Sequence, residues 1–144
     1  MQRLLSIGFK QTGYWALEDA RLVFKIHGAI KSTNVLYSFI SADRVLYVGK
    51  TTQTLSKRMR GYQNPGCSQY TNIRNNKNIK DLLFLKESVD IYALPDTGLL
   101  QFGQFKISLA AGLEDSLIKV LHPPWDNRQC LNGATCEDFI GHIT

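Results

Sequence analysis

Two short apolar segments with a polar turn between them constrain the fold of this chain most strongly. Residues 35–40 (VLYSFI) and 45–49 (VLYVG) are rich in β-branched, aliphatic and aromatic side chains, which favour β-strands. A short polar segment that contains Asp43 separates the two runs. This pattern predicts a β-hairpin.

The segments that follow alternate between helical and strand patterns. Thr54 is an N-cap residue type, and a helix should run from there through Leu55, Met59 and Tyr62 until 63–66 (QNPG) breaks it. After an amide-rich loop, residues 79–86 are expected to be helical and residues 89–94 to form a strand, with a turn over 95–98.

The clearest helix is expected over residues 109–121. Its apolar side chains recur at helical spacing, and Pro123 and Pro124 end it because proline lacks a backbone donor and disfavours helical geometry in its predecessor. Near the amino terminus, residues 14–17 and 21–26 are strand-like runs around a polar segment and predict a second hairpin.

Together these elements predict a small α/β domain of the α+β type. A small antiparallel three-stranded sheet should be flanked by helices and carry an N-terminal β extension. The expected boundaries are 1–33 for the extension, 34–128 for the main domain and 129–144 for a tail.

Length and cysteine content indicate a reduced, single-domain protein. A chain of 144 residues buries enough surface to fold without disulfides, and three cysteines at irregular spacing indicate free thiols in a reducing compartment. No apolar run has the length of a signal peptide or a bilayer span. We therefore expect a cytoplasmic protein with no membrane partner.

The positive charge is concentrated in one part of the chain. The net charge is +5, and residues 50–87 contain many lysines and arginines against Asp81 and Glu87 alone. A basic surface favours polyanionic partners such as nucleic acid. On charge alone, a solvated basic face explains this segment equally well.

Two familiar kinds of site are not supported. Gly49-Lys50-Thr51 resembles the end of a phosphate-binding loop, but Arg44 stands where that motif requires glycine. The set Cys130, Cys136 and His142 matches no common zinc spacing and lacks a clear fourth ligand.

The order and spacing of the remaining polar and aromatic residues resemble the motifs of the GIY-YIG nuclease family. The tripeptides 35–37 (VLY) and 47–49 (YVG) look like the two halves of its motif, and 49–58 resembles its continuation into an arginine-bearing helix. Glu114 followed by 123–125 (PPW) resembles the family's glutamate helix and its ending. Valine replaces the first glycine, and Tyr62 stands where many members carry histidine. In size and N-terminal extension the chain is similar to the small phage members, and 64–75 resembles restriction-like members.

The resemblance implies a divalent-metal-dependent endonuclease acting on double-stranded DNA. Glu114 would ligate Mg²⁺ or Mn²⁺, Arg58 would bind phosphate oxygens, and Lys50 would add positive charge. Tyr37 would act as the general base or position the water, with Tyr47 beside it. Because a phenol of pKa about 10 is a weak base at neutral pH, positive neighbours would have to favour the phenolate. The implied catalytic set is Tyr37, Tyr47, Lys50, Arg58, Tyr62, Glu114 and Asn127, although strict spacing puts the family asparagine on Asp126.

A shared role for the two hairpin tyrosines makes a geometric prediction. Residues on neighbouring antiparallel strands share a face only if the register permits it. An odd-length connection such as 41–43, or a bulge, puts Tyr37 and Tyr47 on one face, whereas a regular four-residue loop over 41–44 separates them. We predict the odd connection or a bulge.

The DNA surface is predicted from the basic and amide-rich segment. Basic side chains would contact phosphates, and amides would read base edges. The residues predicted to bind DNA are Lys57, Arg60, Arg74, Asn75, Asn76, Lys77 and Lys80. A domain of this size that cuts both strands is expected to be a homodimer or homotetramer.

Two other functions remain open at this stage. The chain could be a non-catalytic DNA-binding module on the same fold, or a structural protein whose basic face is incidental. Metal-dependent cleavage would exclude the first, and salt-sensitive DNA affinity would exclude the second.

Overall fold

The computed structural model describes residues 1–27, 31–95 and 101–126. A five-stranded sheet lies between two layers of helices. The helices are α1 (Gln2–Ser6), α2 (Leu55–Gln63), α3 (Tyr70–Phe84) and α4 (Leu109–Leu121), followed by a 3-10 helix (Pro124–Asp126). The strands of the sheet are β1 (Lys10–Glu18), β2 (Arg21–Ile26), β3 (Val35–Ser41), β4 (Arg44–Thr51) and β5 (Val89–Pro95), and β6 (Gln101–Phe102) and β7 (Phe105–Lys106) form a separate small hairpin.

The sheet has the strand order β2-β1-β5-β3-β4, and all of its pairs are antiparallel. The α+β class is therefore confirmed, but the predicted three-stranded sheet is too small. The N-terminal hairpin supplies the two additional strands, because β1 pairs with β5 along Lys10–Trp15 and joins the same sheet. Such long-range pairing cannot be read from local patterns, since β1 and β5 are far apart in sequence.

The hairpin of β3 and β4 has the geometry that a shared tyrosine site requires. A tight turn at Ala42 and Asp43, both with positive φ, connects Ser41 to its partner Arg44. Mirror-image turns of this kind match the twist of a hairpin. The register then shifts between Phe39 and Ile40, which leaves a bulge at Leu46. The bulge alternative of our prediction is thus confirmed.

The two faces of the sheet carry different helices. On one face, Tyr37, Phe39 and Tyr47 pack with residues of α2 and α3. On the other, Leu36 and Ile40 pack with residues of α1 and α4. The apolar stripe predicted for 109–121 faces this second core through Leu113, Leu117 and Leu121.

The predicted helices are confirmed with one change in length. α2 begins after Thr54, whose hydroxyl accepts a hydrogen bond from the Lys57 amide, and α4 spans the expected residues. α3 begins at Tyr70, well before the predicted start at 79, so most of the supposed amide-rich loop is helical. Its buried positions Asn72, Asn75 and Ile79 recur at helical spacing. Because two of these three residues are polar, apolar periodicity does not indicate the helix.

Some predictions lie outside the described residues, among them most of the turn over 95–98, Asn127 and the tail. In the described part of the chain, no helix combines the length and the apolar character that a membrane crossing needs.

Candidate active site

The bulged hairpin places Tyr37 and Tyr47 on one face of the sheet. Phe39 pairs directly with Tyr47, and Tyr37 pairs with Gly49. The Tyr37 and Tyr47 ring centroids are 6.1 Å apart, and Phe39 stacks on Tyr47 at 5.6 Å. A Cβ atom on Gly49 would lie 2.7 Å from the Tyr37 hydroxyl and 2.8 Å from the Tyr47 ring. Glycine is therefore the residue that leaves room for both rings.

Helix α2 brings Arg58 and Tyr62 to the same place. These residues are four apart and so share one side of the helix. The Arg58 guanidinium lies over the Tyr62 ring, 4.2 Å from its centroid. Leu55 and Met59 bury the adjoining side of α2 against the sheet and so orient this pair.

Tyr37, Tyr62 and Arg58 are hydrogen-bonded to one another and the Tyr47 ring packs against them; we call these four side chains the tyrosine cluster (Tyr37, Tyr47, Tyr62 and Arg58). The Tyr37 and Tyr62 hydroxyl oxygens are 2.6 Å apart. Arg58 donates from Nε to the Tyr37 oxygen at 3.1 Å and from Nη2 to the Tyr62 oxygen at 2.9 Å. The Tyr47 ring lies 6.3 Å from that of Tyr62. Two of the five guanidinium N–H groups are therefore used within the cluster.

Burial dominates the protonation of the phenols. Desolvation raises the pKa of Tyr37 and of Tyr62 far above the usual value, and the opposing effect of Arg58 is smaller. The pKa of Tyr47 is also raised, again mainly by burial. We expected positive neighbours to lower the pKa values of the phenols. In the protein without metal or DNA, the pKa values are raised instead, because burial removes the hydration of the charged phenolate. All three phenols are neutral near pH 7.

Arg58 remains a cation in this setting. Burial lowers its pKa, but the nearby Tyr37 and Tyr62 act in the other direction and the net pKa is raised. The cluster therefore holds a permanent positive charge next to neutral hydroxyls.

Glu114 and Asp126 lie on the side of Tyr47. Both carboxylates raise the pKa of the Tyr47 phenol electrostatically, and hydrogen bonding to Tyr62 lowers it. Glu114 is half-buried on α4, and Asp126 belongs to the 3-10 helix and accepts a hydrogen bond from the Val48 amide at 2.5 Å. Tyr47 is thus the member of the cluster on which both carboxylates act.

Lys50 is placed differently. It pairs with Leu36 across the hairpin, so it shares the α4 face of the sheet, and its side chain is exposed. The structure brings together Tyr37, Tyr47, Arg58 and Tyr62, whereas Lys50 lies on the face of the sheet that helix α4 covers. Asn127 lies outside the described residues.

The donor set available for a metal is small. Among the described residues, no group of three or more His, Cys, Asp or Glu could hold an ion. Mg²⁺ does not need such a group, because it retains waters and commonly uses one or two carboxylates together with substrate phosphate. Glu114, half-buried beside Tyr47, fits that requirement as the protein ligand.

The residues predicted to bind DNA fall into two groups. Lys57, Arg60 and Lys77 are exposed, and Lys80 is half-buried. Asn75 is fully buried, Asn76 donates to the Tyr62 carbonyl at 2.7 Å, and Arg74 donates to the Trp125 carbonyl at 2.8 Å. In this conformation a base edge does not reach Asn75. Asn76 and Arg74 each use a side-chain N–H group to bind a backbone carbonyl.

Sequence reasoning did not include two residues of the site. Phe39 contacts all three cluster tyrosines. Its position two residues after Tyr37 on the same strand was the available signal. Asp126 was considered only as a position for the family asparagine, and nothing in the sequence shows that it meets the Val48 amide.

Comparison with known proteins places the fold. No protein-family model matches the chain, and no curated protein matches it. Among solved structures, a variant of bacteriophage T4 EndoII with one glutamate replaced by alanine matches with a TM-score of 0.67 and 21% identity, over 87% of this chain and 96% of that one. The restriction endonuclease HPY188I in complex with product DNA matches with a TM-score of 0.49 and 16% identity, over 78% of this chain and 72% of that one. The chain therefore has the fold of T4 EndoII.

Proposed function

We propose that this chain is a divalent-metal-dependent endonuclease of the GIY-YIG type that hydrolyses phosphodiester bonds of double-stranded DNA. The observation that carries the proposal is the meeting of Tyr37, Tyr47, Tyr62 and Arg58 in one cluster, with the Glu114 carboxylate near enough to act electrostatically on Tyr47. These groups come from two strands and two helices. The fold shared with the phage endonuclease EndoII supports the same assignment.

Arg58 is the phosphate-binding group of this proposal. Its side chain is half-buried, and two of its N–H groups hold the Tyr37 and Tyr62 oxygens. The remaining donors form a planar fork suited to phosphate oxygens. Because the phenols fix the guanidinium before substrate arrives, little reorganisation is needed as negative charge develops on the phosphate.

Tyr47 is the phenol that faces the substrate. Tyr37 and Tyr62 have no exposed surface, whereas Tyr47 retains 8% exposure and adjoins the carboxylates. Its neutral hydroxyl orients the attacking water, and the two buried phenols hold Arg58. The family pattern implies that Tyr37 is the general base or positions the water. In this proposal Tyr47 positions the water instead.

Glu114 would hold the metal. A divalent cation bound there would stabilise charge on the phosphate and lower the pKa of water. Asp126 adds negative charge on the same side of Tyr47 and thereby favours a cation near it.

DNA would contact the exposed basic residues near the cluster. Lys57 and Arg60 extend from the same helix as Arg58, and both are exposed. Lys77 and Lys80 on α3 would add phosphate contacts. Cleavage of both strands requires two sites, so we propose a homodimer or homotetramer as the active form.

A plasmid assay tests the proposal. Purified protein with Mg²⁺ or Mn²⁺ should nick or linearise supercoiled plasmid, and Glu114→Ala should lower the rate roughly 1,000-fold, since several kcal/mol of charge stabilisation are lost. DNA binding should persist in this variant. Asp115→Ala is the matched control, because Asp115 is the next residue of α4, is 58% exposed and pairs with Lys119.

The same assay distinguishes the alternative. A wild-type protein that binds DNA with steep salt dependence but never cuts it, with either metal, would be a DNA-binding module on this fold. Equal rates for Glu114→Ala and wild type would exclude a role for Glu114 in metal binding.

A further inference from the structure

The 3-10 helix that follows α4 crosses from one core of the protein to the other. Helix α4 packs on the Leu36 face of the sheet. Trp125, only a few residues later, is 5% exposed and packs in the opposite core with Tyr37 and Tyr47. The chain therefore passes around β4, which is the outer strand of the sheet.

Asp126 attaches this crossing to β4. An outer strand presents backbone N–H groups that no neighbouring strand pairs. The Asp126 Oδ2 atom accepts the Val48 amide at 2.5 Å, a charge-assisted bond between the positions of Tyr47 and Gly49. The bond fixes the 3-10 helix directly beside the phenol proposed to face substrate.

Arg74 holds the same segment from the other side. Its Nη2 atom donates to the Trp125 carbonyl at 2.8 Å, which links α3 to the 3-10 helix. The side chain is half-buried, and its buried Nε atom meets no acceptor among the described residues. Burying part of a guanidinium is costly, so a side chain that only met DNA phosphates would stay in solvent.

We propose that Arg74, Trp125 and Asp126 form a latch that fixes Glu114 relative to Tyr47. Arg74 and Asp126 are positioning residues: they hold protein backbone, and α4 ends just before the segment that they hold. The inference rests on the proposed nuclease function for its kinetic consequence, but the latch itself is a structural claim. It assigns to Arg74 a task other than DNA binding.

Paired substitutions of Asp126 test the contact with β4. Asp126→Ala removes the acceptor, and we expect kcat to fall about 10- to 100-fold because small misplacements of reacting groups are costly. Asp126→Asn keeps an acceptor oxygen and should recover most of the rate. Asp115→Asn removes a charge from exposed α4 surface and should leave kcat unchanged.

The metal dependence separates positioning from ligation. If Asp126 is a positioning residue, the metal concentration for half-maximal rate rises less than tenfold in Asp126→Asn, because only a nearby charge is lost and no ligand. A rise of tenfold or more would make Asp126 a metal ligand and overturn the assignment.

Substitution of Arg74 separates the latch from DNA contact. Arg74→Met keeps the apolar stem but removes the bond to Trp125, so kcat should fall while the salt dependence of DNA binding stays the same. A phosphate contact would instead reduce the salt slope by about one and leave kcat intact. The Arg74→Met/Asp126→Ala pair should be no worse than the more damaging single change, since both open one latch. Fully multiplicative losses would contradict this.

A measurement without DNA distinguishes failure of the latch from failure of the nuclease proposal. In ¹⁵N-labelled protein, the Val48 amide should exchange slowly with solvent, and its exchange should accelerate at least tenfold in Asp126→Ala and in Arg74→Met while Ile79 in the core stays protected. Thermal unfolding reports whether each variant is folded. Unchanged Val48 exchange in folded variants overturns the latch even if the protein cuts DNA, and accelerated exchange supports it even if the protein does not.

Discussion

The interior and the rim of the candidate site are built on different physical principles. In the interior, Tyr37 and Tyr62 are fully buried and held by Arg58. At the rim, Tyr47 keeps some exposure, and the Glu114 and Asp126 carboxylates raise the pKa of its phenol. In the interior, the low dielectric and the fixed geometry strengthen the hydrogen bonds and the electrostatic interactions. At the rim these interactions are weaker, because Tyr47 keeps some contact with solvent. Neighbouring tyrosines of one cluster thus lie in different surroundings, which is why we propose different tasks for them.

The largest expected effect separates the two tyrosine tasks. Tyr47→Phe should lower kcat about 100-fold, in the range for loss of one precisely placed group, with a change in unfolding free energy below about 1 kcal/mol. Tyr62→Phe should cost about 1–3 kcal/mol of stability, because the buried Arg58 donor and Tyr37 hydroxyl lose a partner. Steady-state kinetics and urea unfolding measure both. The reverse pattern would exchange the roles of rim and interior.

A smaller effect is expected from filling the space between the rings. Gly49→Ala puts a methyl group 2.7 Å from the Tyr37 hydroxyl, so the interior and the rim must both shift, at a cost of about 1–3 kcal/mol in unfolding free energy. Gly112→Ala on α4 is the control, because among the described residues nothing beyond the adjacent helix backbone lies within 4 Å of the added carbon, and helical alanine is favourable by about 1 kcal/mol. Stability of Gly49→Ala equal to wild type would show that the cluster is not tightly packed.

The smallest effect concerns alkaline stability. The folded-state pKa of Tyr37 and Tyr62 is raised, so the folded protein binds more protons than the unfolded chain once unfolded tyrosine titrates near pH 10. Their stabilising contribution is complete below that pH and is lost as pH rises further. Urea unfolding from pH 8 to 11.5 should show falling stability above about pH 10. Tyr37→Phe should make the fall shallower by up to about one proton, and an unchanged slope would contradict burial as its cause.

Local patterns predicted the elements of the fold better than their assembly. The strands around Tyr37 and Tyr47, the Thr54 cap and helix α4 follow from neighbouring residues, and the structure confirms them. α3 was predicted too short because Asn72 and Asn75 occupy its buried side. The pairing of β1 with β5 was missed because it joins residues distant in sequence.

The sequence indicated several side chains that the structure brings together, but it did not indicate the surroundings of each one. The motif resemblance named Tyr37, Tyr47, Arg58, Tyr62 and Glu114. It also placed Arg74 among the DNA-binding residues and Lys50 in the catalytic set. Charge and sequence spacing do not show which groups a side chain contacts or which face of the sheet it lies on. In the structure, Arg74 holds the Trp125 carbonyl and Lys50 shares the face of Leu36.

Contacts within a few positions fix the β3–β4 hairpin, the Thr54 cap and helix α4, so these elements could be predicted from the sequence. The sequence also required that the β3–β4 connection put Tyr37 and Tyr47 on one face if they were to share a site. Only the tertiary structure decided which phenols are buried, and hence their raised pKa values, and that the segment after α4 returns to the edge of β4. Desolvation and edge pairing depend on distant parts of the chain, so no local pattern encodes them.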